Sequence, residues 1–164
     1  MSLCSHEHHN ALHGVHDHHN VETRLAEAEN LCAIAGARLT PLRKEVLELI
    51  LNATGPMGAY DLLAKIKSES DRPAAPPTVY RTLDFLLEKG LIHRLISINA
   101  YISCCHPREG HQAAFLICTD CKSVTEASAQ GLLQQLDALS AADGFTAQHS
   151  IIEISGICQQ CRNK

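Results

Sequence analysis

Two C-x2-C pairs, separated by 36 residues, set the strongest limit on how this chain of 164 residues folds. Two residues between cysteines let both thiolates reach one ion, and four thiolates form a closed tetrahedral zinc site with no open position for water. The sequence therefore predicts a structural zinc that joins the end of a domain to its beginning. A redox-active pair of dithiols is the alternative. The predicted ligands are Cys118, Cys121, Cys158 and Cys161.

The residues around and between the pairs predict a small α/β unit. QAAFLICTDC and SVTEAS have the composition of strands, AQGLLQQLDALSAADG that of a helix, and FTAQHSIIEISGICQQC that of a last strand running to the second pair. The return of that strand brings the second pair beside the first. A strand-strand-helix-strand unit leaves one sheet face or edge uncovered, so we expect a second copy to cover it in a homodimer.

The eight cysteines and the start of the chain bear on location. MSLCSHEHHNALHGVHDHHN lacks a basic segment followed by an apolar one, and no apolar run reaches bilayer length, so we expect a cytoplasmic protein without a signal peptide. Reducing conditions favour metal binding by C-x2-C pairs over disulfides. Residues 1–20 hold seven of the eleven histidines and are predicted to be a disordered tail, which either binds zinc loosely or has no required role.

Residues 21–97 predict a winged helix-turn-helix domain. Helical periodicity runs from Val21 to Ala35 and stops at Gly36, and LTPLRKEVLELILNATG follows with Thr40 as N-cap and Pro41 in the first helical position. MGAYDLLAKIKSES is a shorter third helix, and PPTVYRTLDFLLEKG is a fourth. The period then changes to two, which predicts two strands around a turn in LIHRLISINAYISC. Residues 98–106 are the predicted hinge and residues 107–164 the predicted dimerisation and metal-binding domain, which makes the fold class α+β.

The fourth helix carries a pattern suited to DNA. One stripe is apolar, and at about 100° per residue Arg81 points away from it, with Thr78 and Tyr80 on the flanks. Arginine can hold a guanine in the major groove, and threonine and tyrosine can contact phosphate or thymine. Asp84 and Glu88 would repel DNA, so only the first two turns should enter the groove. The apolar stripe consists of Val79, Leu83, Leu86 and Leu87.

Overall charge gives DNA binding little support. The formal net charge is −4, which argues mildly against a nucleic acid partner. Residues 24–94 carry ten Lys/Arg against nine Asp/Glu, so any contact with DNA must come from a local patch. A solvated helix face with an incidental arginine is therefore the alternative reading of the fourth helix.

The motifs together resemble the ferric uptake regulator family of metal-sensing repressors, and within it the zinc uptake regulator type. LTPLRKEVL, AYDLL, PPTVYRTLDFLLEKGLIHRL and the two C-x2-C pairs carry the resemblance, which spans residues 21–162. It implies a DNA-binding winged helix, a hinge, a dimerisation domain with a Cys4 zinc, and a regulatory metal at the hinge. Tyr60 of AYDLL joins the predicted DNA contacts.

The resemblance also implies the regulatory ligands, which are His93, Cys104, His111 and Glu126. One sulfur, two nitrogens and one carboxylate oxygen suit zinc, and the thiolate selects against iron and manganese. Each residue alone also fits an ordinary role, such as a strand histidine or a surface carboxylate. Because Cys105 follows directly, a shift of one residue in the strand would turn the Cys105 thiol inward in place of the Cys104 thiol. The spacing of the ligands favours Cys104.

One departure from the family pattern favours zinc over iron. Iron-sensing members have a run of His and Asp just before the first cysteine pair, where this chain has HQAAFLIC. His149 lies where one ligand of that additional site would come from, but we expect it to be a strand histidine without metal.

These observations predict a zinc-responsive transcriptional repressor rather than an enzyme. It would bind two Zn²⁺ per chain and, as a homodimer, a palindromic DNA operator that controls zinc uptake genes. Three alternatives stay open: a regulator of the same family that responds to iron or another metal, a zinc hydrolase, and a winged-helix protein-interaction module with a structural zinc only.

Overall fold

The computed structural model describes residues 18–66, 75–105, 107, 113–146 and 150–164. These residues form two compact units, an N-terminal unit that ends at Pro107 and a C-terminal unit that starts at Ala113. His111, His149 and nearly all of the predicted tail lie outside the described residues, as does the predicted end of the third helix. None of the described helices has the length and apolar character to cross a membrane.

The N-terminal unit combines four helices with a small antiparallel sheet. Its strands are ordered β1-β3-β2, and each is short. Three or four helices followed by a hairpin were predicted, and the winged helix-turn-helix fold is confirmed; β1 was not predicted. The elements are α1 (His18–Ile34), α2 (Pro41–Leu51), β1 (Met57–Gly58), α3 (Ala59–Lys65), α4 (Pro76–Glu88), β2 (Ile92–Leu95) and β3 (Ala100–Ser103).

Local chemistry sets where these elements begin and end. Thr40 is extended and Pro41 occupies the first turn of α2, as predicted. Gly36 and Gly90 have φ +65°, the left-handed conformation that ends α1 and α4 at low cost. Asn99 has φ 47° at the tip of the β2–β3 hairpin, in the predicted turn.

The core of the N-terminal unit is where the helical periodicity placed it. Val79 is 1% exposed, and Leu83 and Leu86 are fully buried, with Leu87 packed against the same cluster. Each such side chain stabilises the fold by about 1.5–3 kcal/mol. Cys32 of α1 is buried in the same core, and burial raises the pKa of its thiol.

The C-terminal unit is a three-stranded sheet with one helix across it. β4 is central, antiparallel to β5 and parallel to β6. The predicted strands and helix are confirmed, except that the last strand ends before the second cysteine pair, because β4 has no residues left to pair with it. The elements are β4 (Ala113–Cys118), β5 (Val124–Ser128), α5 (Gln130–Ala142), β6 (Ile152–Gly156) and α6 (Gln159–Arg162).

Helix α5 covers only part of this sheet. Leu133 is fully buried against Ala114 and Ala129, with Ile152 packed on them. Many large apolar side chains of the same unit stay exposed, an arrangement typical of an interaction surface. We call them the apolar face: Leu116, Leu132, Leu136, Leu139, Phe145, Ile151, Ile154 and Ile157.

Candidate metal centres and DNA-contacting surface

The pairing of β4 with β6 brings the two C-x2-C pairs together. Cys118, the last residue of β4, lies opposite Gly156, the last residue of β6. Beyond this point the Thr119 N–H donates to the Gly156 carbonyl oxygen at 2.8 Å, and the Thr119 hydroxyl donates to the same oxygen at 3.2 Å. Both strands therefore end side by side, and each continues directly into one cysteine pair.

The four thiols have the geometry of one tetrahedral site. The Sγ atoms of Cys118, Cys121, Cys158 and Cys161 all lie within 4.8 Å of one another. The Cys121 and Cys158 sulfurs are 3.8 Å apart. A tetrahedral zinc with Zn–S bonds of about 2.3 Å requires sulfur–sulfur distances of about 3.8 Å. The cluster thus has the ligand types and the size of a four-thiolate zinc site.

Hydrogen bonds around the cluster favour the thiolate form of Cys118 and Cys121. The Cys158 N–H points at Cys118 Sγ at 3.4 Å, and backbone donors led by this one lower the pKa of the Cys118 thiol to about 6. The Ser123 hydroxyl, 3.1 Å from Cys121 Sγ, lowers the pKa of that thiol. The Asp120 side chain raises the pKa of Cys161, and a bound zinc would reverse this by deprotonating its ligands. Sequence reasoning missed Asp120 and Ser123, for which the only signal is their position beside the cysteines.

The turn after the first pair depends on an unusual backbone conformation. Lys122 has φ 61°, and its N–H donates to the Cys118 carbonyl oxygen at 3.0 Å. Its ammonium group also donates to the Thr119 carbonyl oxygen at 2.7 Å. Only glycine and, less readily, asparagine or aspartate take up this left-handed conformation without strain.

We expect Lys122→Val to destabilise the zinc-loaded C-terminal unit by about 1–2 kcal/mol, because a β-branched side chain resists positive φ. Lys122→Asn, which loses the same ammonium group but tolerates the turn, is the matched control and should stay closer to wild type. Urea unfolding of the two zinc-loaded variants measures the difference. Equal stability of the valine and asparagine variants would contradict a role for backbone strain.

Two of the predicted regulatory ligands lie close together within the N-terminal unit. His93 is half-buried on β2 opposite Ile102, and Cys104 directly follows β3. A ring nitrogen of His93 and the Cys104 sulfur lie within 4.8 Å of each other. Cys104 is only 2% exposed, whereas Cys105 is exposed. Of the two neighbouring cysteines, the one favoured by spacing is thus the one that faces inward beside the histidine.

Arg24 of α1 holds the backbone at this cysteine. Its guanidinium donates to the Cys104 carbonyl oxygen at 2.5 Å and to the Ser103 hydroxyl at 3.5 Å. Sequence reasoning missed Arg24, because a charged residue on a helix gives no sign of a partner 80 positions away.

The other two predicted regulatory ligands belong to the later part of the chain. Glu126 is half-buried on β5 of the C-terminal unit, opposite Phe115 of β4. His111 lies outside the described residues. The four-residue regulatory set therefore stays a prediction, of which His93 and Cys104 are brought together within one unit.

The predicted DNA contacts form an exposed surface on α3 and α4. Thr78 and Arg81 are exposed on α4, and Tyr80 is 41% exposed. Tyr60 in the first turn of α3 is 75% exposed, and the Asp61 carboxylate beside it accepts the Gly58 N–H at 3.2 Å, which fixes the start of the helix.

The chain is similar in sequence and in structure to proteins of one family. Residues 34–155 match the Ferric uptake regulator family. The Zinc uptake regulation protein of Escherichia coli (strain K12) is 44% identical over 138 residues, which cover 84% of this chain and 80% of that protein. A solved structure of a zinc uptake regulator complexed with zinc and DNA has a TM-score of 0.82 and 42% identity, covering 87% of this chain and 95% of that one. The structure of holo XcZur has a TM-score of 0.79 and 40% identity, with coverage of 87% and 99%.

Proposed function

This chain belongs to the ferric uptake regulator family. On that basis we propose that it is a cytoplasmic, zinc-responsive transcriptional repressor that controls zinc uptake genes. The observation that carries the proposal is the placement of the His93 imidazole beside the buried Cys104 thiol. This pair lies in the same unit as the exposed α4 surface, so two of the proposed zinc ligands and the proposed DNA contacts share one folded body.

Each chain would hold two zinc ions for different purposes. The four-cysteine cluster holds a structural ion, since four thiolates leave no open position. The second ion would be held by His93, Cys104, His111 and Glu126, a mixed sulfur, nitrogen and oxygen set that favours zinc. These ligands come from both sides of the predicted hinge. Binding them to one ion would restrict the hinge to the poses compatible with DNA, and affinity would fall without the ion as the competent fraction falls.

The DNA-contacting residues are proposed to be Tyr60, Thr78, Tyr80 and Arg81. Arg81 would read a guanine edge, and the hydroxyl groups would meet phosphates or thymine. Because these side chains extend from α3 and α4, they would reach the major groove while the apolar stripe of α4 stays in the core. The pair of helices then acts as the helix-turn-helix.

The apolar face of the C-terminal unit supports a homodimer. Exposed leucine side chains on α5, Ile154 on β6 and Phe145 between these two elements are suited to burial against a second copy. A dimer with two-fold symmetry would present two α4 helices roughly 34 Å apart, which matches successive major-groove turns of a palindromic operator.

Arg81→Met should weaken operator binding in the presence of zinc by about 10- to 150-fold, because one bidentate contact to a base contributes about 1–3 kcal/mol. Electrophoretic mobility shift with wild type and variant, each with zinc and with a chelator, measures both the loss and the zinc dependence. Wild type should bind only when zinc is present.

Lys44→Met is the matched control for lost charge. Lys44 lies in the same unit, but its ammonium group is paired with Glu29 at 2.7 Å, so its removal should change operator binding little. Equal binding by wild type and Arg81→Met would show that α4 does not read the operator. Wild-type binding that ignores the chelator would contradict zinc as the co-repressor.

The remaining alternatives give different results in the same experiments. A protein-interaction module with a structural zinc only would bind one zinc per chain and show no zinc effect on DNA. A zinc hydrolase needs an open coordination position, so thiolate charge-transfer bands in the cobalt-substituted second site would count against it. An iron-responsive regulator would bind operator with Fe²⁺ at concentrations where Zn²⁺ has no effect.

A further inference from the structure

We propose that Arg24 is a positioning residue for the second metal site: its guanidinium holds the Cys104 backbone so that this thiol, and not that of Cys105, faces His93. The inference rests on the proposed function, since it concerns how one ligand of that site is selected. Arg24 does not touch the metal in this proposal; it acts through the peptide group that follows the ligand.

The backbone of Cys104 is fixed on both sides. Its N–H donates to the Leu91 carbonyl oxygen at 3.0 Å, which ties it to the start of β2. Its carbonyl oxygen accepts the Arg24 guanidinium, which ties it to α1. The peptide groups before and after residue 104 are thus both hydrogen-bonded, and the side chain of residue 104 is buried while that of residue 105 is exposed.

These hydrogen bonds matter because β3 ends just before the cysteines. The ladder between β2 and β3 runs from Leu95↔Ala100 to Ile92↔Ser103, so Cys104 lies one residue beyond the paired part of the hairpin. A slip of one residue would exchange the inward and outward side chains. The added donor from Arg24 removes that freedom at the one point where two adjacent thiols compete.

Arg24 itself extends from a well-anchored helix. Val21 and Ala28, one turn before and after it on α1, and the adjacent Leu25 are all buried in the core of the N-terminal unit. Arg24 is half-buried, where a hydrogen bond from a charged donor is stronger than one exposed to water. The guanidinium therefore connects the predicted sensor thiol to the rigid part of the same unit.

The test uses the full-length protein and three variants. Arg24→Met keeps the aliphatic stem and removes every donor, Arg24→Lys restores one cationic donor, and Lys44→Met breaks the Lys44–Glu29 ion pair between α2 and α1 without reaching β3. Zn²⁺ titration against a chelator reports affinity, and Co²⁺ titration reports thiolate coordination from its charge-transfer absorption.

We expect Arg24→Met to weaken the second zinc site by about 10- to 100-fold, as expected for loss of one hydrogen bond from a charged donor, and to leave the first site unchanged. Arg24→Lys should recover part of the loss, and Lys44→Met should match wild type. In the zinc-free protein, iodoacetamide should alkylate Cys104 faster in Arg24→Met than in wild type, whereas the rate at Cys105, which is already exposed, should not rise.

The outcomes separate this inference from the proposed function. A wild type without a thiolate-containing second cobalt site would overturn the proposed function, whatever the alkylation rates are. The other result concerns Arg24 alone. If wild type has that cobalt site, and Arg24→Met matches wild type in zinc affinity and in the rate of Cys104 alkylation, only the role of Arg24 is overturned. If Arg24→Met does not fold, Arg24→Leu, which also lacks a donor, replaces it in the same titrations, with the same two results deciding.

Discussion

Cys121→Ser should leave the C-terminal unit unfolded at neutral pH. Structural zinc sites contribute about 10–16 kcal/mol of apparent binding free energy, whereas whole domains are stable by only about 5–15 kcal/mol. The buried core of the unit is small among the described residues: apart from Cys118 it consists of Ala114, Phe115, Ile117, Ala129 and Leu133, with Ile152 partly buried beside it. Removing one of four thiolates therefore costs the unit its main stabilising element.

Zinc analysis together with thermal unfolding followed by circular dichroism checks this result. Cys105→Ser is the matched control, because it replaces an exposed cysteine of the other unit and should keep the wild-type unfolding curve. If zinc-free Cys121→Ser protein unfolds at the same temperature as zinc-loaded wild type, the cluster is not structural. The same chelator treatment of wild type should reproduce the effect of the mutation.

Cys104→Ser should abolish zinc-dependent operator binding while the protein stays folded. Loss of residues that merely orient a ligand costs 10- to 100-fold in metal affinity, so loss of the thiolate itself should weaken the second site by more than about 100-fold. Zinc content should fall from two ions per chain to one. Mobility shift with and without chelator should then give the same weak binding, equal to that of chelated wild type.

Cys105→Ser again provides the control, this time for the choice between neighbouring thiols. If Cys105→Ser loses the zinc response and Cys104→Ser keeps it, the buried position of Cys104 does not identify the ligand. If both variants keep the response, the second site contains no thiolate and the proposed ligand set is wrong.

The parts of the fold that follow from the sequence are those set by local chemistry. Proline and glycine signals located the start of α2 and the ends of α1 and α4, and periodicity identified the buried stripe of α4. The spacing of the cysteines predicted their cluster, because a parallel return of the chain brings both pairs to one end of the sheet.

Other features depend on partners far along the chain, and no local sequence pattern predicts them. The two-residue strand β1 exists only because β3 pairs with it, and α6 forms where pairing of β6 runs out. The choice between Cys104 and Cys105 was left to spacing, and the hydrogen bond from Arg24 shows why: the selecting group lies on α1, far earlier in the sequence. The domain boundaries, the hinge and the full regulatory ligand set stay predictions.

The parallel pairing of β4 with β6 has a consequence for assembly kinetics. β4 and β5 are joined by a short turn and can form a hairpin within microseconds, but β6 must return across α5 before it can dock. Until it docks, only two thiolates are available to an ion, and such a half-built site releases its metal readily. Zinc supply should therefore govern how fast newly made chains reach the folded state, in addition to how long they remain there.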